Sequence, residues 1–240
     1  MSYNQNQPRA TQSIEIDFKK HGAAPSHCSV CHSRELKHFK KVNSRYYWTC
    51  KICKARILSP QHWITPRDEF SHYQTHQNNS ADPGYRRYAS KLANPLMQKL
   101  TPRSKGLDYG SGPDPALAAI LRENGHDMAL FDPFFEPCKS VLEDIYDFVT
   151  CSEVAEHFYN PAKEFASIDK LVRPGGWIGV MTKFQTLNER FANWQYVRDP
   201  THVVFYRKTT FEIIGKNRNW TPEFPCQDVV LFQKRSGLTY

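Results

Sequence analysis

Four cysteines stand in two closely spaced pairs, and this pattern is typical of a metal site. Cys28 and Cys31 form one C-x2-C pair, Cys50 and Cys53 form the second, and eighteen residues separate the pairs. Zinc binds four thiolates in a tetrahedron, and each tight turn supplies two sulfur atoms. The spacing predicts a zinc ribbon with a structural metal, because four protein ligands leave no position for water or substrate. Reduced thiols without metal are the alternative.

A glycine-rich turn is the second feature that indicates chemistry. Gly110 and Gly112 follow an apolar run that contains Asp108, and a helix signature comes next. Glycine lets a ligand lie against the main chain, where any Cβ would collide. The turn does not match the dinucleotide fingerprint, which needs glycine where Pro115 stands, and it lacks the lysine of a phosphate-binding loop. An ordinary tight turn is the alternative.

Candidate polar residues follow the later strands. Asp132 ends an apolar run 24 residues beyond Asp108, close to the spacing at which a carboxylate meets ribose hydroxyls. His157 and His202 also lie near predicted strand ends. Imidazole titrates near neutral pH, so either histidine could act as a general base. The alternative is that each histidine orients a loop through hydrogen bonds.

Strands and helices alternate along the part of the chain that carries these residues. We expect strands near residues 105–108, 127–132, 146–151, 177–182, 203–206 and 229–232, and helices near 116–122, 161–172 and 210–215. Asp114 is a suitable N-cap for the first of these helices, with Pro115 at its first position. Alternation of this kind predicts a mostly parallel sheet covered on both faces, with ligands at the carboxyl ends of its strands.

The segments before the glycine turn are less regular. Residues 1–23 are polar, and we predict a flexible tail. Residues 61–92 have helical character, with helices that can begin at Pro66 and near Asp82. The polar run 73–80 between them predicts either a lid over a ligand pocket or an exposed loop.

Composition and charge limit the class of protein. No apolar run approaches the roughly 18 residues that cross a bilayer, and the polar start lacks the hydrophobic segment of a secretory signal. We therefore expect a cytoplasmic protein with no membrane partner. The net charge of +8 arises in residues 1–60, which contain 11 Lys or Arg against 3 Asp or Glu. This asymmetry predicts an acidic partner such as RNA, or a solvated basic appendage.

Four motifs in series resemble a class I S-adenosylmethionine-dependent methyltransferase. They are Leu107-Asp108-Tyr109-Gly110-Ser111-Gly112, the strand-ending Asp132, the run from Tyr146 through Ser152-Glu153-Val154-Ala155-Glu156-His157, and Leu171-Val172-Arg173-Pro174-Gly175-Gly176. The resemblance implies a Rossmann-like α/β fold with a doubly wound, mostly parallel sheet. It also implies a methyltransferase that uses S-adenosyl-L-methionine. That cofactor has no phosphate, so a turn without a phosphate-binding lysine fits it.

The resemblance assigns cofactor contacts to individual residues. The implied cofactor-binding residues are Asp108, Gly110, Gly112, Asp132, Ser152 and Glu153. Phe134 and Phe135 could stack on the adenine. Two departures from the family pattern stand out: Asp114 replaces the usual third glycine, and only 13 residues separate Asp132 from Tyr146. We therefore expect the sheet to lack one of the family's strands.

These observations predict four segments and one leading function. The segments are a flexible tail (1–23), a zinc ribbon (24–60), a helical bridge or lid (61–92) and a methyltransferase domain (93–240). The leading hypothesis is methyl transfer to a small metabolite or sugar-like acceptor. An RNA or protein methyltransferase that holds its substrate with the basic ribbon is the alternative, and a binding module with an inactive core is a third. The oligomeric state is not predicted.

Overall fold

A computed structural model describes residues 24–75, 79–185 and 187–236 of the chain. The predicted tail at residues 1–23 and the central part of the predicted lid, residues 76–78, lie outside these ranges. The strands are β1 (Leu36–Val42), β2 (Arg45–Cys50), β3 (Arg56–Leu58), β4 (Lys105–Tyr109), β5 (Asp127–Phe131), β6 (Tyr146–Ser152), β7 (Val172–Met181), β8 (Val204–Phe205), β9 (Trp220–Cys226) and β10 (Val229–Lys234). The helices are α1 (Pro66–Tyr73), α2 (Pro83–Met97), α3 (Ala116–Glu123), α4 (Pro161–Leu171) and α5 (Lys208–Arg218).

The larger sheet has six strands in the order β5-β4-β6-β7-β10-β9. The first four strands are parallel, and β10 runs antiparallel to both β7 and β9. Side chains alternate between two buried clusters: Phe148 and Leu231 pack with α2 and α3, whereas Val149 and Phe232 pack with α4 and α5. The predicted doubly wound, mostly parallel sheet is therefore confirmed.

The short connection between β5 and β6 has the predicted consequence. Every residue from 127 to 152 is described, and the connection holds only an isolated bridge between Asp132 and Glu136 and a helical turn at Lys139–Leu142. No strand lies there, so the sheet lacks the strand that the family usually places between them. β5 is consequently an edge strand of the sheet, and the chain turns after Asp132 so that Glu136 pairs with Asp132.

Local signals explain most helix boundaries. Asn160 accepts a hydrogen bond from the Lys163 amide at the start of α4, and Asp82 accepts one from the Tyr85 amide at the start of α2, so these two predicted N-termini are confirmed. Asp114 does not cap α3 as predicted. Its carboxylate instead accepts the Ser80 amide at 2.8 Å, and the helix begins one residue later than expected, at Ala116.

One strand of the six-stranded sheet was not predicted. β9 contains Pro222 and Pro225, which argue against a strand when only the sequence is read. The strand lies at the edge of the sheet. One side of its backbone forms no hydrogen bonds to another strand, so proline is tolerated there.

The cysteine-bearing segment forms a second sheet in the order β1-β2-β3-β8. β8 comes from the part of the chain that was predicted to belong wholly to the methyltransferase domain. Backbone hydrogen bonds join the two parts, from Leu58 to Val203 at 2.8 Å and from Ala162 to Ser29 at 3.0 Å. The division at residue 93 remains a prediction, and this sheet contains strands from both sides of it. Within the described ranges, no helix is both long and apolar enough to cross a membrane.

Candidate active site

A pocket of about 1000 Å³ opens at the carboxyl ends of β4, β5 and β6. Ligands of parallel α/β sheets usually bind at the carboxyl ends of the strands, because loops from successive strands converge there. The pocket brings together all eight residues predicted for cofactor binding and catalysis. These residues are Asp108, Gly110, Gly112, Asp132, Ser152, Glu153, His157 and His202.

The glycine turn lies closely against the loop that follows β6. Gly110 has φ +85°, and a Cβ built on it would lie 2.5 Å from a methyl carbon of Val154. Gly112 also has a positive φ, +68°. The Gly110 amide donates to the Phe131 carbonyl at 2.7 Å, which fixes the turn on the end of β5. The backbone conformation and the lack of space both require glycine at position 110.

We predict that Gly110→Ala weakens cofactor binding and destabilises the fold more than Gly125→Ala does. Both glycines have φ +85°, but an added Cβ at Gly125 would meet no atom of the described residues within 4 Å. The backbone strain is therefore matched, at about 1–3 kcal/mol, and only Gly110→Ala must also displace Val154. Titration with S-adenosylhomocysteine and thermal unfolding of both variants measure the difference. Equal effects of the two substitutions would show that the contact with Val154 is unimportant.

Asp132 connects the glycine turn to the loop after β5. One carboxylate oxygen, Oδ1, accepts the amides of Phe134 at 2.9 Å and Phe135 at 3.1 Å. The other oxygen, Oδ2, accepts the Gly112 amide at 3.0 Å. A carboxylate oxygen can accept about two hydrogen bonds, so Oδ2 retains capacity for a hydroxyl donor. Asp132 is thus positioned by three amides and can still bind a ligand in the pocket.

Two further acidic residues line the pocket near the sheet. Asp108 accepts a hydrogen bond from the Thr150 hydroxyl at 2.7 Å, and burial raises the pKa of its carboxyl to about 6. Glu153 has φ +53°, and its Oε1 is buried without a hydrogen-bond partner in the described part of the chain. Burial and the nearby Glu156 raise the pKa of Glu153 to about 8. These carboxyls favour a positively charged group in the pocket.

A group of three side chains, Glu156, His157 and His202, forms an acid–histidine cluster. The Nδ1 atom of His202 lies 2.7 Å from the Tyr196 carbonyl, and that of His157 lies 3.3 Å from the Thr201 carbonyl. A carbonyl oxygen can only accept, so in the neutral rings each Nδ1 carries the hydrogen and each Nε2 is an acceptor. Both Nε2 atoms face Glu156 Oε1, at 3.9 Å and 4.0 Å.

Burial determines the charge states of this cluster. Burial raises the pKa of Glu156 to about 7, although the hydrogen bond that Tyr196 donates opposes the change. Burial and the neighbouring His157 lower the pKa of His202 to about 3, and burial also lowers the pKa of His157. The cluster therefore presents three acceptor atoms within 4.8 Å of one another. Such a set can take up a proton from a hydroxyl, and two imidazoles with a carboxylate could also hold a divalent cation.

Helix α1 forms one wall of the pocket. Its Glu69 is buried and accepts hydrogen bonds from the hydroxyls of Tyr73 at 2.9 Å and Tyr159 at 3.2 Å. Phe70 of the same helix stacks on Phe134, with ring centroids 5.5 Å apart. This wall gives the pocket an aromatic lining beside the acid–histidine cluster.

Sequence reasoning missed three residues of the site. Glu156 stands next to His157 in the chain, and that adjacency was the available signal. Glu69 and Tyr196 lie far from every motif in sequence, so only the folded structure could associate them with the pocket.

The four paired cysteines converge at one point. The sulfur atoms of Cys28 and Cys53 are 3.5 Å apart, and those of Cys31 and Cys50 are 3.6 Å apart. A tetrahedral zinc site with Zn–S bonds of about 2.3 Å places its sulfurs roughly 3.8 Å apart, so the donor set fits zinc. Among the described residues, His27 and His32, which flank the first cysteine pair, are not part of this group.

The larger sheet is mostly parallel, and it carries a glycine turn and a carboxylate at its ligand-binding edge. This combination is typical of α/β domains that bind a nucleoside cofactor. A family model described as a methyltransferase domain matches residues 73–223. The chain therefore belongs to this family of methyltransferase domains. The resemblance that the sequence motifs indicated is confirmed to this extent.

Curated relatives are similar over part of their length. A ubiquinone biosynthesis O-methyltransferase of Vibrio atlanticus is 31% identical over 91 residues, which are 38% of this chain and 37% of the relative. The protein of the same name from Erwinia tasmaniensis is 27% identical over 130 residues, 51% of this chain and 52% of the relative. The chain therefore spans about half or less of the length of these relatives.

A solved structure is similar over most of the chain. The 1,6-didemethyltoxoflavin-N1-methyltransferase of Burkholderia thailandensis was determined with 1,6-didemethyltoxoflavin and S-adenosylhomocysteine bound, and it superposes with a TM-score of 0.50. The match is 15% identical and covers 83% of this chain and 100% of the other. At this identity the similarity shows the fold.

Proposed function

We propose that the chain transfers a methyl group from S-adenosylmethionine to an oxygen atom of a small-molecule acceptor that enters the large pocket. The observation that carries this proposal is the buried acid–histidine cluster, which lies in the same pocket as the glycine turn and Asp132. A hydroxyl acceptor has a proton to lose, and the cluster offers acceptor atoms for it.

The cofactor would be held by the residues at the ends of β4, β5 and β6. S-adenosylmethionine supplies a methyl group that its sulfonium already activates. Gly110 and Gly112 leave room for the cofactor against the backbone, and the open position on Asp132 Oδ2 suits a ribose hydroxyl. Glu153, with its unpartnered buried oxygen, suits the ammonium of the methionine portion. Asp108 and Ser152 complete the proposed contacts from the strand ends.

The acceptor side of the reaction is assigned to the acid–histidine cluster. Methyl transfer requires the nucleophile to lie in line with the activated methyl group, so residues that orient the acceptor contribute to the rate enhancement. His157 and His202 present unprotonated Nε2 atoms that can accept a hydrogen bond from the acceptor hydroxyl. Glu156 is the group whose pKa, about 7, suits proton uptake at neutral pH.

The shape of the pocket supports a small acceptor over a macromolecule. Tyr73, Phe134 and Phe135 give the pocket an aromatic wall, and Glu156 is fully buried. An acceptor must therefore fit among side chains. The names of the curated relatives, which are O-methyltransferases of ubiquinone biosynthesis, are consistent with an oxygen nucleophile. RNA methylation remains the second candidate because of the basic N-terminal region.

A labelling experiment separates these candidates. The protein is incubated with methyl-labelled S-adenosylmethionine and cell extract, with and without prior treatment by nuclease or protease. We expect the label in a low-molecular-weight fraction, and neither treatment should change its amount. The labelled methyl group should be released under conditions that cleave methyl ethers. Label that disappears after nuclease treatment would assign the activity to RNA instead.

We further propose that the four cysteines bind a structural zinc ion and that residues 24–60 form a zinc ribbon. Such a metal would stabilise a segment too small to fold around an apolar core of its own. Since β3 pairs with β8, this segment would also support the enzyme core. Helix α1, in the bridge that follows, is the part of residues 61–92 that we propose as a cover over the pocket.

We predict that Asp132→Ala weakens binding of S-adenosylhomocysteine about tenfold to a hundredfold. The substitution removes a charged acceptor for the ribose, and a hydrogen bond to a charged group contributes about 1.5–3 kcal/mol. Asp127→Ala, at an exposed position on the same strand, is the matched control and should bind normally. Calorimetry gives the affinity, and zinc content is measured in parallel. A fall in zinc content together with affinity would contradict the proposed division into two modules.

A further inference from the structure

A second cleft, of about 330 Å³, lies where the cysteine-bearing sheet meets the enzyme core. Five cationic side chains line it: Lys37, Lys51, Lys54, Arg56 and Arg207. Among the residues that the structure describes, no aspartate or glutamate lines this cleft, and none of its lining residues also lines the active-site pocket. The cleft is therefore a separate site with a strongly positive wall.

Arg56 is the unusual member of this group because it is almost completely buried, with 2% of its surface exposed. Its guanidinium carbon lies 3.5 Å from the ring centre of Phe39 and 4.6 Å from that of Phe191. One nitrogen donates a hydrogen bond to the Asn188 side-chain oxygen, which also accepts one from Arg207 at 2.7 Å. The aromatic rings and the shared amide hold the guanidinium in one orientation.

Arg56 forms no ion pair in the described part of the chain, although the more distant carboxylate of Glu189 attracts its charge. Its Nε and Nη1 atoms are buried without a hydrogen-bond partner, and no carboxylate among the described residues lies within ion-pair distance. Buried charges in proteins are almost always paired, because removing an unpaired charge from water is unfavourable. Burial and repulsion by Arg207 lower the pKa of Arg56 to about 9, which still leaves it charged at neutral pH.

We propose that this cleft binds the terminal phosphate group of a small phosphorylated ligand. Arginine and lysine together are the side chains that proteins use for phosphate, arginine through its directed donors and lysine as a point charge. A terminal phosphate carries close to two negative charges at neutral pH, which matches a cluster of five cations better than a single carboxylate would. The recessed position of Arg56 favours a chain-terminal group over the internal phosphodiesters of a polymer.

The lysines of the cleft could have a role other than phosphate binding, and the experiment must distinguish the two roles. Zinc with four thiolates carries two net negative charges, and Lys51 and Lys54 lie in the turn that contains Cys50 and Cys53. These lysines could offset the charge of the metal centre. Arg56 and Arg207 are therefore the residues to change, and zinc content is measured in every variant.

The experiment compares the zinc-loaded full chain with its Arg56→Met and Arg207→Met variants in phosphate-free buffer. Inorganic phosphate and glycerol 3-phosphate are titrated at constant ionic strength, with thermal unfolding and calorimetry as readouts. We expect phosphate to raise the melting temperature of the wild type, and each substitution to weaken binding at least about tenfold. Arg87→Met, which removes an exposed arginine of α2, is the matched control and should behave as wild type.

Arg56→Met carries a second, independent expectation. Without phosphate it should melt at the same temperature as the wild type or higher, with unchanged zinc, because a buried unpaired charge is removed. Phosphate stabilisation that is equal in wild type and Arg56→Met would overturn the proposal. The proposal would also be overturned if the substitutions lowered the zinc content and left phosphate binding unchanged. A third contradicting result would be that the wild type binds a short RNA oligonucleotide with a steep salt dependence and does not bind glycerol 3-phosphate. None of these outcomes depends on the identity of the methyl acceptor.

Discussion

Replacing Glu156 with glutamine is expected to slow methyl transfer about 10²- to 10⁴-fold while leaving S-adenosylhomocysteine binding unchanged. The range is that of a general base removed from an otherwise intact site. Glutamine keeps the shape of the side chain and an oxygen that can accept from Tyr196, so the cluster should remain folded. Because a buried charge is lost, the melting temperature should stay the same or rise. Turnover is measured on the acceptor fraction that the labelling experiment identifies.

The pH dependence of the same enzymes gives a second readout. A base must be deprotonated to act, and the folded-state pKa of Glu156 is raised to about 7. The wild-type rate should therefore increase with pH up to about 7 and level off above it, and this dependence should disappear in Glu156→Gln. Activity in the presence of EDTA shows whether a divalent cation in the cluster takes part.

Glu164→Gln provides the control for a carboxyl in the same pocket. Glu164 accepts a hydrogen bond from the Tyr109 hydroxyl at 2.7 Å and also lines the pocket, but it lies outside the acid–histidine cluster. We expect it to retain most of its activity. Glu156→Gln with normal turnover, or with cofactor affinity lost in parallel with activity, would contradict the assignment of Glu156 to the acceptor.

Loss of one cysteine ligand is expected to have the largest effect on stability. Cys53→Ser should release the zinc and lower the melting temperature by roughly 10 °C or more. Apparent binding energies of structural zinc in small domains are about 10–16 kcal/mol, comparable to the whole stability of a domain. The effect should reach the enzyme core, because β3 is hydrogen-bonded to β8. Metal analysis and thermal unfolding measure the two changes.

The chain contains its own control for this substitution. Cys138 is exposed and is not part of the four-cysteine group, so Cys138→Ser should keep both zinc and stability. If Cys53→Ser retained a full equivalent of zinc and the wild-type melting temperature, the cysteines would be ordinary reduced thiols. The structural role proposed for residues 24–60 would then be wrong.

The parts of the fold that depend on local sequence could be predicted. The N-caps at Asn160 and Asp82 form hydrogen bonds within their own first turn, so the signal and the structure lie in the same few residues. The short connection after Asp132 similarly fixed the absence of one strand, since too few residues were available for it. The glycine turn was predictable for the same reason.

The remaining features depend on contacts between distant segments. β9 carries two prolines, and only its position at the sheet edge makes it a strand. β8 was predicted as a strand, but no periodicity could indicate that it pairs with the cysteine-bearing sheet. The sequence alone would predict that Arg56 is an ordinary surface cation, whereas packing against Phe39 and Phe191 buries it. Tertiary packing thus decided the details of both clefts.

The central claim is that the pocket at the ends of β4, β5 and β6 is shaped for a sulfonium nucleoside and not for a phosphorylated one. Calorimetric titration of the zinc-loaded wild type tests this claim most directly. S-adenosylhomocysteine, NAD and ATP are titrated in parallel, and Gly110→Ala serves as a control in which the added Cβ obstructs the glycine turn. We predict saturable one-to-one binding of S-adenosylhomocysteine that Gly110→Ala abolishes or strongly weakens. Tight binding of NAD or ATP at the Gly110 turn, with no heat from S-adenosylhomocysteine, would contradict the account.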